Sequence, residues 1–316
     1  MLVAAARLYY IEGRSQAEVA DRLDTSRSNV SRMLTEAQRQ GIIEFRINDP
    51  AGRVESLEHD LADRFGLVDV RVAHIAPALG TEEQVGRQTA RLLLENLKDS
   101  MTVAISWGHA LQSMVYATTT EQEYHQLNLV QLVGGLSSIS NEISGQELVR
   151  ELAVRLGAQY RFLHAPATVE SPAVRDALLA EPSIAEALAE ASRADLAVVG
   201  IGTPSHGSSA AILEAMTLTP ADRQAFWDAE PVGDVAARYY DAAGRPIAGA
   251  VDERILGVGL TDLMEIPHVI GVAHGRAKTP GVLGALAGRL IDSLVCDESL
   301  ARSLLNAARD EERSHE

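Results

Sequence analysis

The most constraining feature of this sequence is a regular alternation, from residue 81 onward, between apolar β-branched segments and amphipathic segments at helical spacing. The predicted strands cover residues 102–106, 128–133, 160–164, 195–199, 268–273 and 293–296. The predicted helices between and after them cover residues 82–98, a segment from 109, 146–156, 171–193, 208–216, 279–290 and 298–308. A helix over 54–65 and a strand over 68–75 precede them. This alternation is typical of an α/β fold with a parallel sheet.

Four predicted strands are followed by glycine-bearing loops, at residues 106–109, 134–137, 200–203 and 274–278. In parallel sheets, ligands bind beyond the carboxyl ends of the strands, where such loops expose backbone amides. A glycine after one strand often serves only the turn, but four such loops favour a pocket. Their hydroxyls and amides, with Arg276 and Lys278, suit an anionic, oxygen-rich molecule, and Lys278 would act as a point charge for phosphate.

The N-terminal segment 15–40 predicts two short helices joined by a tight turn. Ser15 and Glu18 have the spacing of a capping box, and Ser26 is a suitable N-cap for the second helix. Residues 24–26 favour turn conformations. The apolar residues that recur at helical spacing, and are therefore predicted to face inward, are Val19, Ala20, Leu23, Val30, Met33, Leu34 and Ala37.

The opposite face of the second helix carries hydrogen-bonding and cationic side chains suited to phosphates and base edges in a major groove. A preceding helix over 2–11, a stop at Gly41 and a strand over 42–47 would make this a winged helix-turn-helix. The alternative is that two amphipathic helices pack together and the polar face is merely solvated. The predicted DNA-binding residues are Ser15, Gln16, Thr25, Ser26, Arg27, Ser28, Asn29, Ser31 and Arg32.

The length of 316 residues favours two domains, and the turn-rich stretch 48–52 is the predicted boundary, which gives domains over 1–52 and 53–316. Residues 1–50 carry equal numbers of basic and acidic side chains, so residues 51–316 account for the whole net charge of −16. The larger domain should therefore repel DNA and leave affinity to local contacts. The single cysteine, Cys296, and the absence of a long apolar run predict a cytoplasmic protein with a buried thiol.

A series of motifs runs nearly the whole length of the chain: VAISWGHAL, VQLVGGLSS, ELVRELAVRLGAQY, LHAPA, ADLAVVGIGTP, RYYDAAGRPI, RILGVGLTDL, IPHVIGVAHGRAK and DESLARSLL. Together with the N-terminal segment, this series resembles the SorC family of sugar-responsive bacterial transcription regulators, also grouped with deoxyribonucleoside-regulator-like proteins. The resemblance implies a winged helix-turn-helix joined to a Rossmann-like α/β effector domain resembling sugar-phosphate isomerases and deaminases. It also implies double-stranded operator DNA, a sugar, polyol or sugar-phosphate effector, and a tetramer built as a dimer of dimers.

Position by position, the resemblance implies that Ser106, Gly108, His109 and Ala110 form a phosphate-side loop, that Gln146 lies at the sugar, and that Arg254 and Lys278 contact an anion. With the loops above, the predicted effector-binding residues are Ser106, Trp107, Gly108, His109, Gly134, Gly135, Gln146, His164, Gly200, Gly202, Arg254, His274 and Lys278.

The chain departs from the family pattern at several of these positions. His109 and Ala110 stand where an arginine and a hydroxyl residue are frequent, His274 where a second glycine is frequent, and His164 where the residue is usually apolar. In the N-terminal segment, Asp24 stands where glycine is common, and it tolerates the left-handed turn conformation. Ser28 and Asn29 replace a frequent Pro-Thr pair, which should alter base preference.

His109, His164 and His274 all fall at predicted strand ends. A metal site would require them to converge. No HExxH motif or Cys/His cluster is present, so hydrogen bonds to effector hydroxyls or phosphate are the preferred interpretation, and neither a metal nor a cofactor is predicted.

Two functions fit these observations. The preferred one is a transcription factor gated by a sugar-like effector. The alternative is a sugar-phosphate isomerase or deaminase with an accessory N-terminal domain, for which Asp252 and Glu253 are the available acid–base residues. Because a solvated loop explains those two carboxylates equally well, the chain is predicted not to be an enzyme.

Overall fold

The structure, a computed structural model, describes residues 1–43, 52–75, 80–135 and 144–315. The chain divides into two compact units, residues 1–49 and 50–316. Within the described ranges, no helix combines the length and the apolar character needed to cross a membrane.

The N-terminal unit consists of short helices around a small apolar core. Helix α1 (Leu2–Ala6) continues as a π-helical turn over Arg7–Ile11, and α2 (Gln16–Arg22) and α3 (Arg27–Arg39) follow. The buried members of the core are Ala5, Leu8, Val19, Ala20, Val30 and Leu34.

The predicted helix signals of this unit are confirmed. The Ser15 hydroxyl accepts from the Glu18 amide, while the Glu18 carboxylate accepts from the Ser15 amide at 2.8 Å. Ser26 caps α3 through the Asn29 amide at 3.2 Å. Between the helices, Asp24 has φ +48°, the left-handed conformation expected of the turn.

Gly41, with φ +68°, follows the end of α3 as predicted. Of the strand predicted over 42–47, Ile42 and Ile43 are described and lie in no strand, while 44–47 lie outside the described residues. The winged arrangement therefore stays a prediction.

The larger unit is an α/β domain built on a parallel sheet. Its strands are β1 (Asp69–Ala73), β2 (Thr102–Ile105), β3 (Asn128–Gln131), β4 (Gln159–Arg161), β5 (Leu196–Gly202), β6 (Gly233–Val235), β7 (Arg238–Tyr240), β8 (Val269–Val272) and β9 (Ser293–Asp297). The order is β1-β9-β8-β5-β2-β3-β4, with every pair parallel, and the β6–β7 hairpin adds antiparallel pairing at the end of β5.

Helices connect these strands. They are α4 (Glu55–Phe65), α5 (Thr81–Asn96), α6 (His109–Ala117), α7 (Gly145–Leu156), α8 (Pro172–Leu179), α9 (Pro182–Ala191), α10 (Gly207–Ala215), α11 (Pro220–Asp228), α12 (Leu260–Met264), α13 (Thr279–Ala287) and α14 (Glu298–His315). Strands β8 and β9 are buried along their whole length, as expected for a sheet covered on both faces.

Three sequence predictions are corrected here. The segment 171–193, predicted as one helix, forms two helices, α8 and α9. A single helix would need a backbone N–H donor at position 182, and Pro182 has none. Strand β5 extends through Gly202, so Gly200 and Gly202 belong to the strand and not to a loop after it. The section after α10, for which no helix or strand was predicted, contains α11 and the β6–β7 hairpin.

The side of the sheet to which the chain adds successive strands changes between β2 and β5. From β2 the chain moves to β3 and β4 on one side, while β5, β8 and β9 lie on the other. In α/β sheets, a crevice forms at such a point beyond the carboxyl ends of the strands.

Candidate functional site

A cavity of about 420 Å³ lies at this switch point. We call it the effector cavity, after the predicted effector-binding residues that line it. It is lined by residues after β2, at the end of β5, at the start of α10, in the β6–β7 hairpin and after β8. The lining residues are Glu82, Trp107, Gly108, His109, Ala110, Leu111, Gly200, Ile201, Gly202, His206, Gly207, Ser208, Ser209, Asp234, Ala236, Ala237, Val272, Ala273, His274 and Lys278.

The loop after β2 is fixed by hydrogen bonds to its neighbours. The buried Ser106 hydroxyl accepts from the Gly200 amide at 3.2 Å, which ties this loop to β5. The Trp107 indole donates to the Gly134 carbonyl at 3.0 Å. Gly108 has φ +137° and precedes the first residue of α6, His109. Gly108 and the first residues of α6 line the cavity, so the amino-terminal end of this helix faces it, an arrangement that favours a negatively charged ligand group.

The base of the cavity contains a buried carboxylate, Asp234 on β6. The Ser209 hydroxyl and the Ala237 backbone amide hydrogen-bond to it. Burial raises the pKa of Asp234, although the Ser209 hydrogen bond and the nearby Lys278 charge oppose the rise. Gly202 leaves space for this arrangement, because a Cβ atom at that position would overlap the Asp234 carboxylate and the Ser209 hydroxyl.

Two buried tyrosines support this base. The Tyr239 hydroxyl donates to the Ser209 carbonyl at 2.6 Å, and the Tyr240 hydroxyl donates to the Gly281 carbonyl at 2.9 Å. Burial, together with the Asp234 charge, raises the pKa of both phenols well above their usual value. Both tyrosines therefore act as neutral hydrogen-bond donors.

The loop after β8 supplies Lys278. Burial lowers the pKa of its ammonium group, and the Asp234 carboxylate opposes that shift. The loop turns at Gly275, φ +83°, whose amide donates to the buried Asp297 carboxylate at 2.7 Å. The same carboxylate accepts from the Ser299 amide and hydroxyl at the start of α14. Asp297 therefore fixes the loop that carries His274 and Lys278, without lining the cavity itself.

The structure brings together seven of the predicted effector-binding residues: Trp107, Gly108, His109, Gly200, Gly202, His274 and Lys278. Ser106 and Gly134 lie behind them as supports. Gly134 packs so tightly on Pro166 that a side chain would overlap the Pro166 backbone, and Gly135 pairs with Pro166. Leu136 and Ser137, from the same predicted loop, lie outside the described residues.

Three further predicted residues are not among those that line the cavity. Gln146 lies in the first turn of α7. His164 is exposed, and its ring packs against the Phe162 ring in a T-shaped arrangement. Arg254 lies in a 3-10 turn and donates to the Thr217 carbonyl at 2.9 Å.

The three histidines therefore do not share one site, because His109 and His274 line the cavity and His164 does not. Among the described residues, no group of three or more His, Cys, Asp or Glu side chains is arranged to hold a metal ion. A different histidine, His206, lines the cavity, with its Nδ1 2.8 Å from the Ser205 hydroxyl.

Four residues that line the cavity were not predicted from the sequence: Asp234, Ser209, His206 and Glu82. The one available signal for Asp234 was an isolated carboxylate between apolar residues in VGDVAA, where charge is costly to bury. The other three depend on how α5 and α10 are placed against the sheet, which local sequence does not reveal.

The N-terminal unit presents the candidate DNA-contact surface on α3. Arg27, Ser28, Asn29, Ser31 and Arg32 are all exposed. Among the described residues, Arg27 and Arg32 form no ion pair.

The remaining predicted DNA-contact residues have local roles. Ser15 and Ser26 cap helices, and the Thr25 hydroxyl accepts a hydrogen bond from the side-chain amide of Asn29 at 2.8 Å. Gln16 is half-buried in the first turn of α2. By contrast with Arg32, Arg39 is paired with Glu36 at 2.5 Å, and this contact helps lower the pKa of Glu36 to about 2.

Known proteins are similar to this chain over nearly its whole length. Residues 49–306 match the sequence model of the family described as "Putative sugar-binding domain". The chain is 30% identical over 312 residues to the transcriptional regulator LsrR of Klebsiella pneumoniae, covering 98% of this chain and 93% of that protein. It is 28% identical over 307 residues to the deoxyribonucleoside regulator of Bacillus subtilis, covering 96% of each.

A solved structure is similar over nearly the whole chain. The full-length sorbitol operon regulator SorC from Klebsiella pneumoniae has a TM-score of 0.74 and 28% identity, and the match covers 96% of this chain and 98% of that one. The similarity therefore includes the N-terminal unit as well as the α/β unit.

Proposed function

Because this chain belongs to the SorC family of sugar-binding transcriptional regulators, we propose that it is a DNA-binding regulator controlled by a sugar, polyol or sugar phosphate. The observation that carries the proposal is the similarity to proteins named as regulators, which covers 93% and 96% of the length of the two relatives described above. The names of two relatives refer to a deoxyribonucleoside and to sorbitol, which supports a polyhydroxylated effector.

We place the effector in the effector cavity. The Asp234 carboxylate and Ser209 suit ligand hydroxyl groups, and Lys278 with the amino-terminal end of α6 suits an anionic group. Gln146, His164 and Arg254 remain proposed contacts of a ligand that extends beyond the lining residues.

We assign DNA contact to α3, with Arg27 and Arg32 on phosphates or base edges and Ser28, Asn29 and Ser31 as hydrogen-bonding partners. A domain boundary near residue 52, a winged extension after α3 and assembly as a tetramer complete the proposal. In such an assembly, effector binding would change the spacing of the α3 helices.

We further propose that the chain is not an enzyme. Asp252 pairs with Arg238 at 2.7 Å, and neither Asp252 nor Glu253, the acid–base residues of the alternative, lines the cavity. Asp234 and Lys278 do share the cavity and have perturbed pKa values, which is a pattern also found in active sites. Incubation with sugar phosphates and detection of products by NMR tests this point, because turnover would restore the enzyme alternative.

The experiment for the regulator function has two steps. Fragments of genomic DNA retained by the purified protein identify an operator, and a gel shift then measures its affinity with and without each compound of a panel. The panel contains sorbitol, ribose and glucose, their phosphates, and inorganic phosphate. We expect at least one organic compound both to raise the melting temperature and to change operator affinity. Failure to retain any DNA fragment at low salt, or a panel without effect on DNA affinity, contradicts the proposal.

A further inference from the structure

The β6–β7 hairpin turns through two consecutive alanines with positive φ angles, Ala236 at +51° and Ala237 at +65°. Val235 pairs with Arg238, so these alanines are the two central residues of the turn. Two-residue hairpin turns of this kind favour Asn and Gly, because a Cβ atom is strained in the left-handed region. Neither residue of this turn relieves that strain.

The surroundings hold the turn in this conformation. Both alanines are buried, at 8% and 1% exposure. The Arg238 guanidinium donates to the Gly257 and Asp252 carbonyls, each at 2.9 Å, and the Tyr239 hydroxyl anchors the next residue to α10. Strained backbone persists where neighbouring structure over-determines it, and such positions concentrate at functional sites.

The turn also positions the carboxylate at the base of the cavity. Asp234 precedes the turn by two residues, and its carboxylate accepts from the Ala237 amide. Ala236 and Ala237 themselves line the cavity beside Asp234. The orientation of that backbone amide, and hence of the carboxylate that it holds, depends on the left-handed conformation.

We propose that the strained Ala236–Ala237 turn is a positioning and specificity element of the effector cavity. It holds Asp234 oriented toward a hydroxyl group of the effector, and its two methyl groups form the wall against which that part of the ligand packs. This inference rests on the proposed function, since it concerns the same cavity.

Substitution of glycine at either position should affect stability and ligand affinity in opposite directions. Glycine adopts positive φ without a steric penalty, so the folded protein should gain stability despite the larger entropy of the unfolded chain. The same substitution removes a wall methyl and lets the turn sample other conformations. Asp234 must then be ordered when the ligand binds, and that ordering costs affinity.

The test compares the full-length protein with Ala236→Gly and Ala237→Gly. Melting temperature is measured without ligand, and affinity is measured by calorimetry with sorbitol, ribose 5-phosphate, glucose 6-phosphate and inorganic phosphate. We expect each variant to melt about 1–3 °C higher than the parent. We expect its affinity for the organic probe that binds the parent to fall about three- to tenfold. Inorganic phosphate affinity should change little, because it reports the Lys278 side of the cavity.

A matched control is Arg289→Gly. Arg289 has φ +53°, is exposed and does not line the cavity, so glycine should relieve the same kind of strain without changing affinity for any probe. A higher melting temperature with unchanged affinity in the alanine variants would overturn the inference. A lower or unchanged melting temperature would also overturn it, because the turn would then be an ordinary structural element. If the parent protein binds none of the probes, the proposed function itself fails at this cavity.

Discussion

At the scale of single residues, the effector cavity depends on two oppositely charged side chains that burial would otherwise neutralise. Asp234 has a raised pKa and Lys278 a lowered one, and in each case burial is the largest cause and the other residue opposes it. A ligand with both hydroxyl and anionic groups can use both side chains. The roles of Lys278 and Asp234 can therefore be tested separately by substitution.

The first test removes the cation. Lys278→Met retains most of the side-chain volume and loses the charge. We expect affinity for glucose 6-phosphate or inorganic phosphate to fall about 10- to 100-fold, since a charge-assisted hydrogen bond contributes about 1.5–3 kcal/mol. Isothermal calorimetry on the folded full-length variant measures the change.

The matched control is Arg276→Met, two residues earlier in the same 3-10 turn. Arg276 is exposed and does not line the cavity, so its removal should leave phosphate affinity near that of the parent. Equal losses in both variants would indicate a general electrostatic effect of the loop and not a contact from Lys278.

The second test uses the pH dependence of stability. Because the pKa of Asp234 is raised on folding, the folded protein binds this proton more tightly than the unfolded chain does. Stability contributed by that proton is present at low pH and is lost as pH rises through the folded pKa. Asp234→Asn keeps a hydrogen-bond acceptor without the titration.

The melting temperature of Asp234→Asn, relative to the parent, should therefore increase from about pH 4.5 to pH 8. Differential scanning calorimetry across this range checks the sign. If the melting temperature of the variant minus that of the parent is constant with pH, or decreases toward pH 8, the Asp234 carboxylate is no harder to ionise in the folded state than in the unfolded chain.

At the scale of secondary-structure elements, α3 presents two kinds of arginine. Arg32 is exposed and, among the described residues, has no acidic partner, whereas Arg39 is held by Glu36 at 2.5 and 2.8 Å. A guanidinium without an intramolecular partner can contact a phosphate without first breaking an ion pair. The two residues therefore form a natural comparison on one helix.

We expect Arg32→Ala to weaken operator binding about tenfold or more and to reduce the salt dependence of log K by about one unit of slope. Arg39→Ala should have a clearly smaller effect. Fluorescence anisotropy with labelled operator, at salt concentrations from about 50 to 200 mM, measures both quantities. An unchanged affinity and slope for Arg32→Ala would exclude contact between this residue and the DNA backbone.

The elements that sequence predicted well are those whose signals are local. The capping box at Ser15 and Glu18, the N-cap at Ser26 and the left-handed Asp24 were all readable, because each depends on residues within one turn of chain. The parallel strands were found for the same reason, through their runs of buried β-branched residues.

The elements that were missed depend on distant contacts. Strand β5 extends to Gly202 only because the β6–β7 hairpin pairs with its end, and no local pattern marks that pairing. For the same reason Asp234 was not recognised, since its partners Ser209 and Lys278 are 25 and 44 residues away in the sequence. The loops after β2 and β8 could be predicted to line a pocket, whereas the base of the cavity between them could not.

At the scale of the whole molecule, charge is divided unevenly along the chain. The net charge of −16 resides entirely in residues 51–316, while residues 1–50 are balanced. An acidic body is repelled by DNA, so each N-terminal unit must obtain its affinity from a few local contacts. A single unit of this size buries too little surface for a tight operator complex, and the proposed oligomer would supply the missing affinity by binding two half-sites at once.

This dependence predicts a helical phase requirement in the operator. Two rigidly connected α3 helices reach two major grooves only if the grooves face the same side of the duplex, which recurs every 10–10.5 base pairs or so. Insertion of about five base pairs between the half-sites should therefore reduce affinity far more than insertion of about ten. Gel shifts with the two inserted operators, the parent operator and an isolated half-site measure the effect. The ten-base-pair insertion is the control for distance alone. Equal affinities for both insertions would mean that the units bind independently, and effector control could then not act through the spacing of the α3 helices.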